Sequence, residues 1–560
     1  MIALLLATLH TAQAQDVWPR GDAIDNAAAA QLTPAGLNHI AEVAVASFPA
    51  QMAVPPTSGG APSGSFPGCL TDYYYEVNGM WVGLHPTNAQ LIPSDGELLL
   101  VLDADVSVND ATQPFSMFYD AVCLDGTCTG YVAPFPIHIE APVSLQVTQP
   151  LNPNLPIDVT VGNIDLVLPP ALGSYIKMQS GCLSSIENLL QMAGMSLYGL
   201  LTDLLEPVLL DQVNSFGADI EAQLESALVA TVYQSQLDVL GRPLDLQLYP
   251  TDITTNPNGV QITMGGSMSM EQDACVAPYG SNGSPKTATP VPSLAGLPAG
   301  SEILLQLSDD IVNQAFWSVW DGGIFCFTLP DPTGQAAVDL PIPLNTTLLT
   351  LLAGDAFNEL FPESQDLTLS TDPRRAPYLD LASAHDLEVD VRELGLDFYG
   401  ELDYRQARVL GVTLEADVAV DIAFDSSTGD IGVDVDLSGD ALRTVVTGNE
   451  LVPMASEDIA TNLDNLLGTV IENLAGDALS GLSYTLGSSN GLGLSRLDFH
   501  TSGLEGDWLT GDAAVGQVTY GEGAGCDCAG GTAGCSAGGT TSGSAWVLGA
   551  LLLWRRRRVA

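Results

Sequence analysis

Residues 183–231, LSSIENLLQMAGMSLYGLLTDLLEPVLLDQVNSFGADIEAQLESALVAT, decide how this chain is read. Ile186, Leu190, Ala193, Leu197, Leu201, Leu204, Val208, Val213, Phe216, Ile220, Leu224 and Leu228 recur mostly at three- and four-residue steps. That is the period of one buried helix face. The spacing predicts a single long amphipathic helix, capped by Ser184 or Ser185 with Glu187 in its first turn. Pro207 is expected to kink it, because a proline inside a helix lacks a donor and crowds the preceding turn. No Lys or Arg occurs between Lys177 and Arg242, so the solvent face, with Asp203, Glu206, Asp211, Asp219, Glu221 and Glu225, is purely acidic. So long and apolar a helix needs a large curved partner, and the flanking segments read as strands that wrap it.

Working outward, strands are predicted upstream at 97–108, 115–124, 137–147 and 157–168, and downstream at 244–249 and 260–270. Leu102, Ala104, Val106 and Val108 alternate with polar residues, as a sheet with one wet face requires. The start of the chain shows no regular pattern and reads as disordered. Thr33 then caps a helix with Pro34 at its first position and Leu37, Ile40, Ala41, Ala44, Val45 and Phe48 on its apolar side. Residues 54–68, rich in Pro, Gly and Ser, end that element.

Residues 277–300 hold five prolines and four glycines and read as a linker, past which the order repeats. Ser308 caps a helix with Asp309 and Asp310 at its positive end and Ile311, Val312, Ala315, Phe316 and Val319 on its buried side. Strands follow at 324–329, 366–370, 387–391, 394–404, 408–424 and 431–437, the last two joined by the turn 425–430. Ser456 caps a second amphipathic helix with Ile459, Leu463, Leu466, Leu467, Val470, Ile471, Leu474 and Leu479 on one side. From first cap to second the distance is 151 residues in the first half (Thr33 to Ser184) and 148 in the second (Ser308 to Ser456). Spacing this close predicts a duplicated plan. The expected organisation is a signal peptide at 1–14, a first domain at 15–276, the linker, a second domain at 301–515, and a spacer and tail at 516–560.

A chain of 560 residues with 46% hydrophobic and 15% charged residues is globular and too long for one core. Its formal net charge is −52, and four of its fifteen basic residues are the arginines at 555–558. Such a field repels nucleic acid and anionic head groups, whose binding needs clustered Lys and Arg. A surface suited to solubility in salty surroundings explains the acidity without specific cation binding.

At the amino end a short apolar run, 2–9, precedes Ala12, Gln13 and Ala14, small residues of the kind signal peptidase cleaves after, so export is expected with Gln15 first in the mature chain. A positive region before the apolar run is missing, which suggests a start upstream of Met1. Six cysteines remain in the exported body, an even number that favours disulfides: Cys69, Cys123, Cys128, Cys182, Cys275 and Cys326. Cys123 and Cys128 flank an Asp125-Gly126 hairpin signal and are expected to pair locally. Cys275 with Cys326 and Cys69 with Cys182 are two pairings among the fifteen connectivities that six cysteines allow.

The carboxyl end carries Cys526 and Cys528, a Gly, Ser and Thr spacer, a ten-residue apolar segment at 545–554 and then the four arginines. Ten helical residues reach only about 15 Å, half of a hydrocarbon core, so alone the segment spans a membrane poorly unless it borrows length from the spacer. The arginines would stay on the cytoplasmic side. This order of elements resembles the MYXO-CTERM sorting tail of myxobacterial exported proteins, which implies processing near Cys526 or Cys528 and attachment to the cell surface. A plain tail anchor is the alternative.

Residues 32–38, LTPAGLN, resemble the opening of the bactericidal/permeability-increasing protein family, and 307–315, LSDDIVNQA, resemble the start of that family's second half. Residues 245–270 and the Pro-rich linker are similar to its central crossover. Together with the duplicated layout, the resemblance covers about residues 30 to 515. It implies an α+β tubular lipid-binding fold. In it, two tandem barrel-like halves, each a twisted antiparallel sheet wrapped round a long amphipathic helix, form a boomerang with an apolar lipid pocket in each half. Binding or transfer of lipid without catalysis is implied, with no cofactor and no metal. One departure is charge. Members that bind lipopolysaccharide have a basic tip, whereas the first half here has only Arg20, Lys177, Arg242 and Lys286.

From the residues alone, Ala193, Gly194, Gly199 and Gly217 leave gaps along the long helix that acyl chains could fill, gaining about 0.8 kcal/mol per methylene. Ordinary core packing is the alternative. With the resemblance, the pocket is expected at Leu190, Ala193, Leu197, Leu201, Leu204, Phe216 and Ile220 in the first half and at Phe316, Leu463, Leu467 and Ile471 in the second. Met192, Met195, Met264, Met268 and Met270 would supply an adaptable wall or plain core.

Other chemistry is weakly signalled. Residues 487–491, GSSNG, match the serine-hydrolase elbow around Ser489, but they lie in a loop before a predicted strand and only His500 follows. His39, His85, His138 and His385 are scattered without metal-ligand spacing and read as structural. Asp103 with Asp105, and Asp434 with Asp436, could offer oxygens to calcium, yet alternate acids on a wet strand face explain them. The expected partners are a lipid or other apolar ligand and, through the tail, a membrane. A surface adhesin with solid cores and an esterase are the rival readings.

Overall fold

The structure is a computed structural model. It describes residues 17–46, 51–60, 73–121, 124–152, 156–169, 172–178, 221, 233–239, 241–280, 283–287, 290–293, 300–330, 343–353, 355–381, 385–436, 441–449, 451, 456–457, 459–464, 484–485, 492–504 and 506–518. Three antiparallel sheets dominate. The N-terminal sheet has ten strands, ordered Gln51–Ala53, Trp81–Ser94, Glu97–Val108, Leu124–Val147, Phe115–Ala121, Tyr73–Asn78, Thr57–Gly60, with three further strands on the spine Leu124–Val147. Along that spine, Glu97–Val108 and Phe115–Ala121 hold one edge, while Ile157–Val161, Asp165–Val167 and Ile176–Met178 hold the other.

A seven-stranded central sheet joins the halves, in the order Tyr233–Val239, Arg242–Asn256, Gly259–Ser269, Ile24–Leu32, Ile303–Ser308, Trp508–Gln517, Leu492–Ser502. Ile24–Leu32 is its hinge point, pairing with Gly259–Ser269 on one side and Ile303–Ser308 on the other. The C-terminal sheet has eight strands built around the hairpin Leu387–Leu402 and Arg405–Asp425, whose two-residue turn puts Asp403 and Tyr404 at positive φ. A short pair, Val17–Pro19 with Gly283–Pro285, fastens the start of the chain to the linker.

Alternation drives the packing. In Glu97–Val108, Leu98, Leu100, Leu102, Ala104, Val106 and Val108 are buried while Asp103 and Asp105 face outward. Register shifts at Pro86/Asn88, Val106/Val108, Pro250/Asp252 and Val391/Leu394 mark bulges, which bend and twist the ladders and let the sheets curl.

Two helix starts follow from cap chemistry. Helix Pro34–Ala46 begins at Thr33, whose hydroxyl accepts from the Gly36 amide at 3.3 Å and donates to Ser301 O at 2.7 Å, and Leu37 and Ala41 are buried. Gly36 is required here, since a Cβ would stand 2.3 Å from Glu302 O. Helix Asp309–Asp321 is capped by Ser308, whose hydroxyl accepts from the Ile311 amide.

The α+β expectation, with each sheet wrapped round a long helix, is corrected. Among the described residues strands make up 61% and helices 14%, so the chain is mostly β with curled sheets. The longest described helices, Pro34–Ala46 and Asp309–Asp321, have 13 residues each. Among the described residues, cores form chiefly from the inward faces of strands, which satisfy their backbone groups in ladders. The predicted helix at 183–231 lies outside the described residues except for Glu221, as does the predicted second-half helix beyond 464.

Candidate functional site

Of the side chains expected to line a lipid pocket, Leu190, Ala193, Leu197, Leu201, Leu204, Phe216, Ile220, Leu467 and Ile471 lie outside the described residues. The two that are described belong to separate cores. Leu463 is buried with Leu349, Leu352, Phe357 and Phe361 in the second half. Phe316 is half-buried on helix Asp309–Asp321, against the junction core of Leu246, Met268, Met270 and Leu379. Met264 is buried in the first-half core instead, and Met192 and Met195 lie outside the described residues. Beside the first-half core a margin of half-buried apolar side chains, Leu145, Val161, Leu166, Leu168, Tyr175 and Met178, follows the outer edge of the spine strand. These side chains pack against the core on one side and are open to solvent on the other.

On the wet face of the same sheet lies an open groove of about 420 Å³, lined by Thr87, Asp103, Ala104, Pro136, Ile137, His138, Val167, Leu168 and Pro169. Cross-strand register builds it: Asn88 stands opposite Asp103, Asp103 opposite His138, and His138 opposite Val167. Nδ1 of His138 is 2.7 Å from Asp103 and Nε2 is 3.1 Å from Glu140. The hydrogen bond to Asp103, then that to Glu140, raises the histidine's proton affinity, and His138 in turn holds Asp103 below the usual carboxylate range. Both ring nitrogens face carboxylates, an arrangement that favours the protonated ring and ties the two strands together. A histidine pKa raised by folding stabilises below the unfolded value near 6.5, and this support is lost as pH rises through the folded value. Asp103 is thus the partner of a histidine 35 residues away, a pairing that only register reveals.

Two of the four first-half cations are paired with carboxylates, and the other two make neutral contacts. Arg20 meets Asp321 at 2.6 Å, Arg242 meets Asp273 at 2.6 Å, Lys286 lies 4.1 Å above the ring of Trp18, and Lys177 donates to Ser174 O. Three of the four therefore sit at the junction of the halves. Cys275 and Cys326 form a disulfide there, with Cα atoms 6.4 Å apart, beside buried Val276, Trp317 and Trp320. A carboxylate oxygen of Asp273 lies within 4.8 Å of both sulfurs, but disulfide sulfurs supply no thiolate to a metal. Cys128 is buried and disulfide-bonded, while Cys123, Cys69, Cys182, Cys526 and Cys528 lie outside the described residues. So does Ser489, and His500 stands opposite Thr510 in the central sheet. Glu388, Asp390 and Asp417 converge on the C-terminal sheet, where Arg392 already bridges Asp390 and Asp417.

No family model matches the sequence, and no curated protein matches it. Among solved structures, the crystal structure of a lipopolysaccharide binding protein aligns with a TM-score of 0.54 at 15% identity, covering 89% of this chain and 100% of that one. P47 of Clostridium botulinum E1 aligns at a TM-score of 0.27 and 8% identity over 88% of this chain and 99% of its own. P47 of Clostridium botulinum A2 gives 0.24 and 8% over 88% and 97%. At these identities the likeness is one of fold, and the fold this chain shares is that of the lipopolysaccharide binding protein.

Proposed function

We propose that this is a non-enzymatic lipid-binding protein, exported and held at the cell surface, that shelters acyl chains in the apolar interior of its halves and can pass them on. The observation that carries the reading is the shared fold over 89% of the chain with a protein named for binding a lipid-bearing glycan. The half-buried apolar margin along the spine strand supports it, since each methylene moved there from water is worth about 0.8 kcal/mol. Charge shapes the ligand. With only four bases in the first half, two of them paired to carboxylates, and a net charge of −52, a phosphate-rich head group meets little positive charge in that half, which favours uncharged or zwitterionic lipids.

The test is native mass spectrometry of the full chain exported from a lipid-containing bacterial host, followed by extraction of what it carries. Bound lipid, exchangeable for a fluorescent fatty-acyl probe, is the expected result. Bare protein that also ignores the probe would favour a surface adhesin with solid cores.

A further inference from the structure

Three carboxylates meet where the linker crosses the start of helix Asp309–Asp321: Asp309 at 6% exposure, Asp310 at 3% and Asp507 at 7%. Thr287 closes over the first two. Its amide donates to Asp310 Oδ1 at 2.7 Å, and its hydroxyl oxygen lies 2.7 Å from Asp310 Oδ1 and 2.8 Å from Asp309 Oδ1. A hydroxyl has one hydrogen to donate, so one of those two oxygen contacts lacks a proton when both acids are ionised. Two oxygens 2.8 Å apart with no hydrogen between them repel. The deficit is local: Asp507 accepts the Asp309 amide through its carbonyl, and both of its carboxylate oxygens are buried without a hydrogen-bond partner.

We infer that the strap 283–287 is held to the second half by a proton-dependent clasp, in which Asp309 carries the proton that the Thr287 hydroxyl cannot supply twice. Protonated, Asp309 donates to Thr287 Oγ1, which donates to Asp310, and every contact is satisfied. Ionised, Asp309 is a buried charge whose escape to water is to lift Thr287, which is itself exposed on its outer side.

The groups facing Asp309 agree. Burial first, and the charges of Asp310 and Asp507 after it, push its pKa to about 6 against the pull of Thr287 and the Asp310 amide. Tyr378, from strand Tyr378–Asp380, is held in its neutral form by burial and by the surrounding acids and adds no charge. On the strap, Lys286 is taken up by the Trp18 ring. Lifting the strap admits water to Asp309 and removes the conflict over the single Thr287 hydrogen, which is worst when both acids are ionised, so closure is favoured as pH falls. Were Asp309 freed fully to its ordinary 3.8, closure would weaken about tenfold from pH 5 to pH 8, which is the upper limit of the effect.

Hydrogen exchange read by mass spectrometry on full-length protein tests this, using a peptide spanning 283–293 and rates corrected for the intrinsic effect of pH. Protection in the wild type is expected to fall by up to about tenfold between pH 5 and pH 8. Asp309→Asn, whose amide donates as the acid does, should hold protection at one level throughout, and Thr287→Val, which keeps all three acids, should also abolish the step. A step that survives either substitution overturns the clasp. So does restoration of wild-type protection at pH 8 by calcium but not by acid, because an ion and not a proton would then fill the site.

Discussion

Arg20→Ala is expected to lower the unfolding free energy by about 1–3 kcal/mol at pH 8, below the full penalty for breaking a buried ion pair because the arginine side of this pair is 39% exposed. Asp321 is the reason. Its side chain is fully buried, and without Arg20 its remaining side-chain partner among the described residues is Gln272, whose Nε2 donates to it at 3.0 Å. The guanidinium also lies 5.8 Å from the Trp317 ring, and the substitution removes that cation–π attraction as well. Burial already raises the Asp321 pKa and Arg20 opposes the rise. In the variant that opposition is gone, so folding favours the protonated acid more strongly. An acid whose pKa is higher folded than unfolded destabilises above the folded value, and the penalty fades as pH falls toward the unfolded one. Urea unfolding should therefore show a smaller loss at pH 5 than at pH 8, and Arg20→Ala combined with Asp321→Asn should recover most of the difference. A loss equal at both pH values, or no recovery in the double variant, would mean that the pair is a surface contact of little worth.

Local chemistry was legible and non-local pairing was not. Thr33 and Ser308 act as the caps their neighbours suggest, because a cap is decided within three residues. Ile24–Leu32 was not legible. Its IDNAAAAQL pattern has almost no β-branched residue and reads as disordered, yet Ala27, Ala28 and Ala29 are buried at the seam of the central sheet. Small side chains are what two flanking strands and two helix starts leave room for there, and no period within nine residues records those neighbours. Prolines misled in the same way. Pro86 sits at a bulge of Trp81–Ser94, and the spine strand passes through Pro134 and Pro136, so propensity shortened it to 137–147. The class is mostly β because alternating strand faces such as Leu98 to Val108 account for most of the described residues, while the helical spacing at 183–231 lies outside them except for Glu221. Site residues are no more legible: Asp309 and Asp310 read as acids at a helix start, but Asp507 reaches them from almost 200 residues away. His138 likewise finds Asp103 only through register.

Cys275→Ala combined with Cys326→Ala should cost about 4 kcal/mol, since the bridge closes a loop of 51 residues and the chain-entropy account scales with the logarithm of loop length. That loop contains the linker, the strand Ile303–Ser308 and all of helix Asp309–Asp321, so cutting the bridge frees much of the junction in the unfolded chain. The native contacts around it are expected to persist. Asp273 still accepts from the Cys275 amide at 2.8 Å and still meets Arg242, its amide still donates to Asp321 O, and Trp317 and Trp320 stay packed against Val276. An entropic effect on the unfolded chain leaves the native near-ultraviolet spectrum of those tryptophans unchanged while the urea midpoint falls. A changed spectrum with a smaller loss would place the effect in the folded state instead, with the sulfurs acting as packing between the tryptophans. Because Arg20 reaches Asp321 on the helix that the loop encloses, the two effects share a partner, and the triple variant should be destabilised by less than their sum.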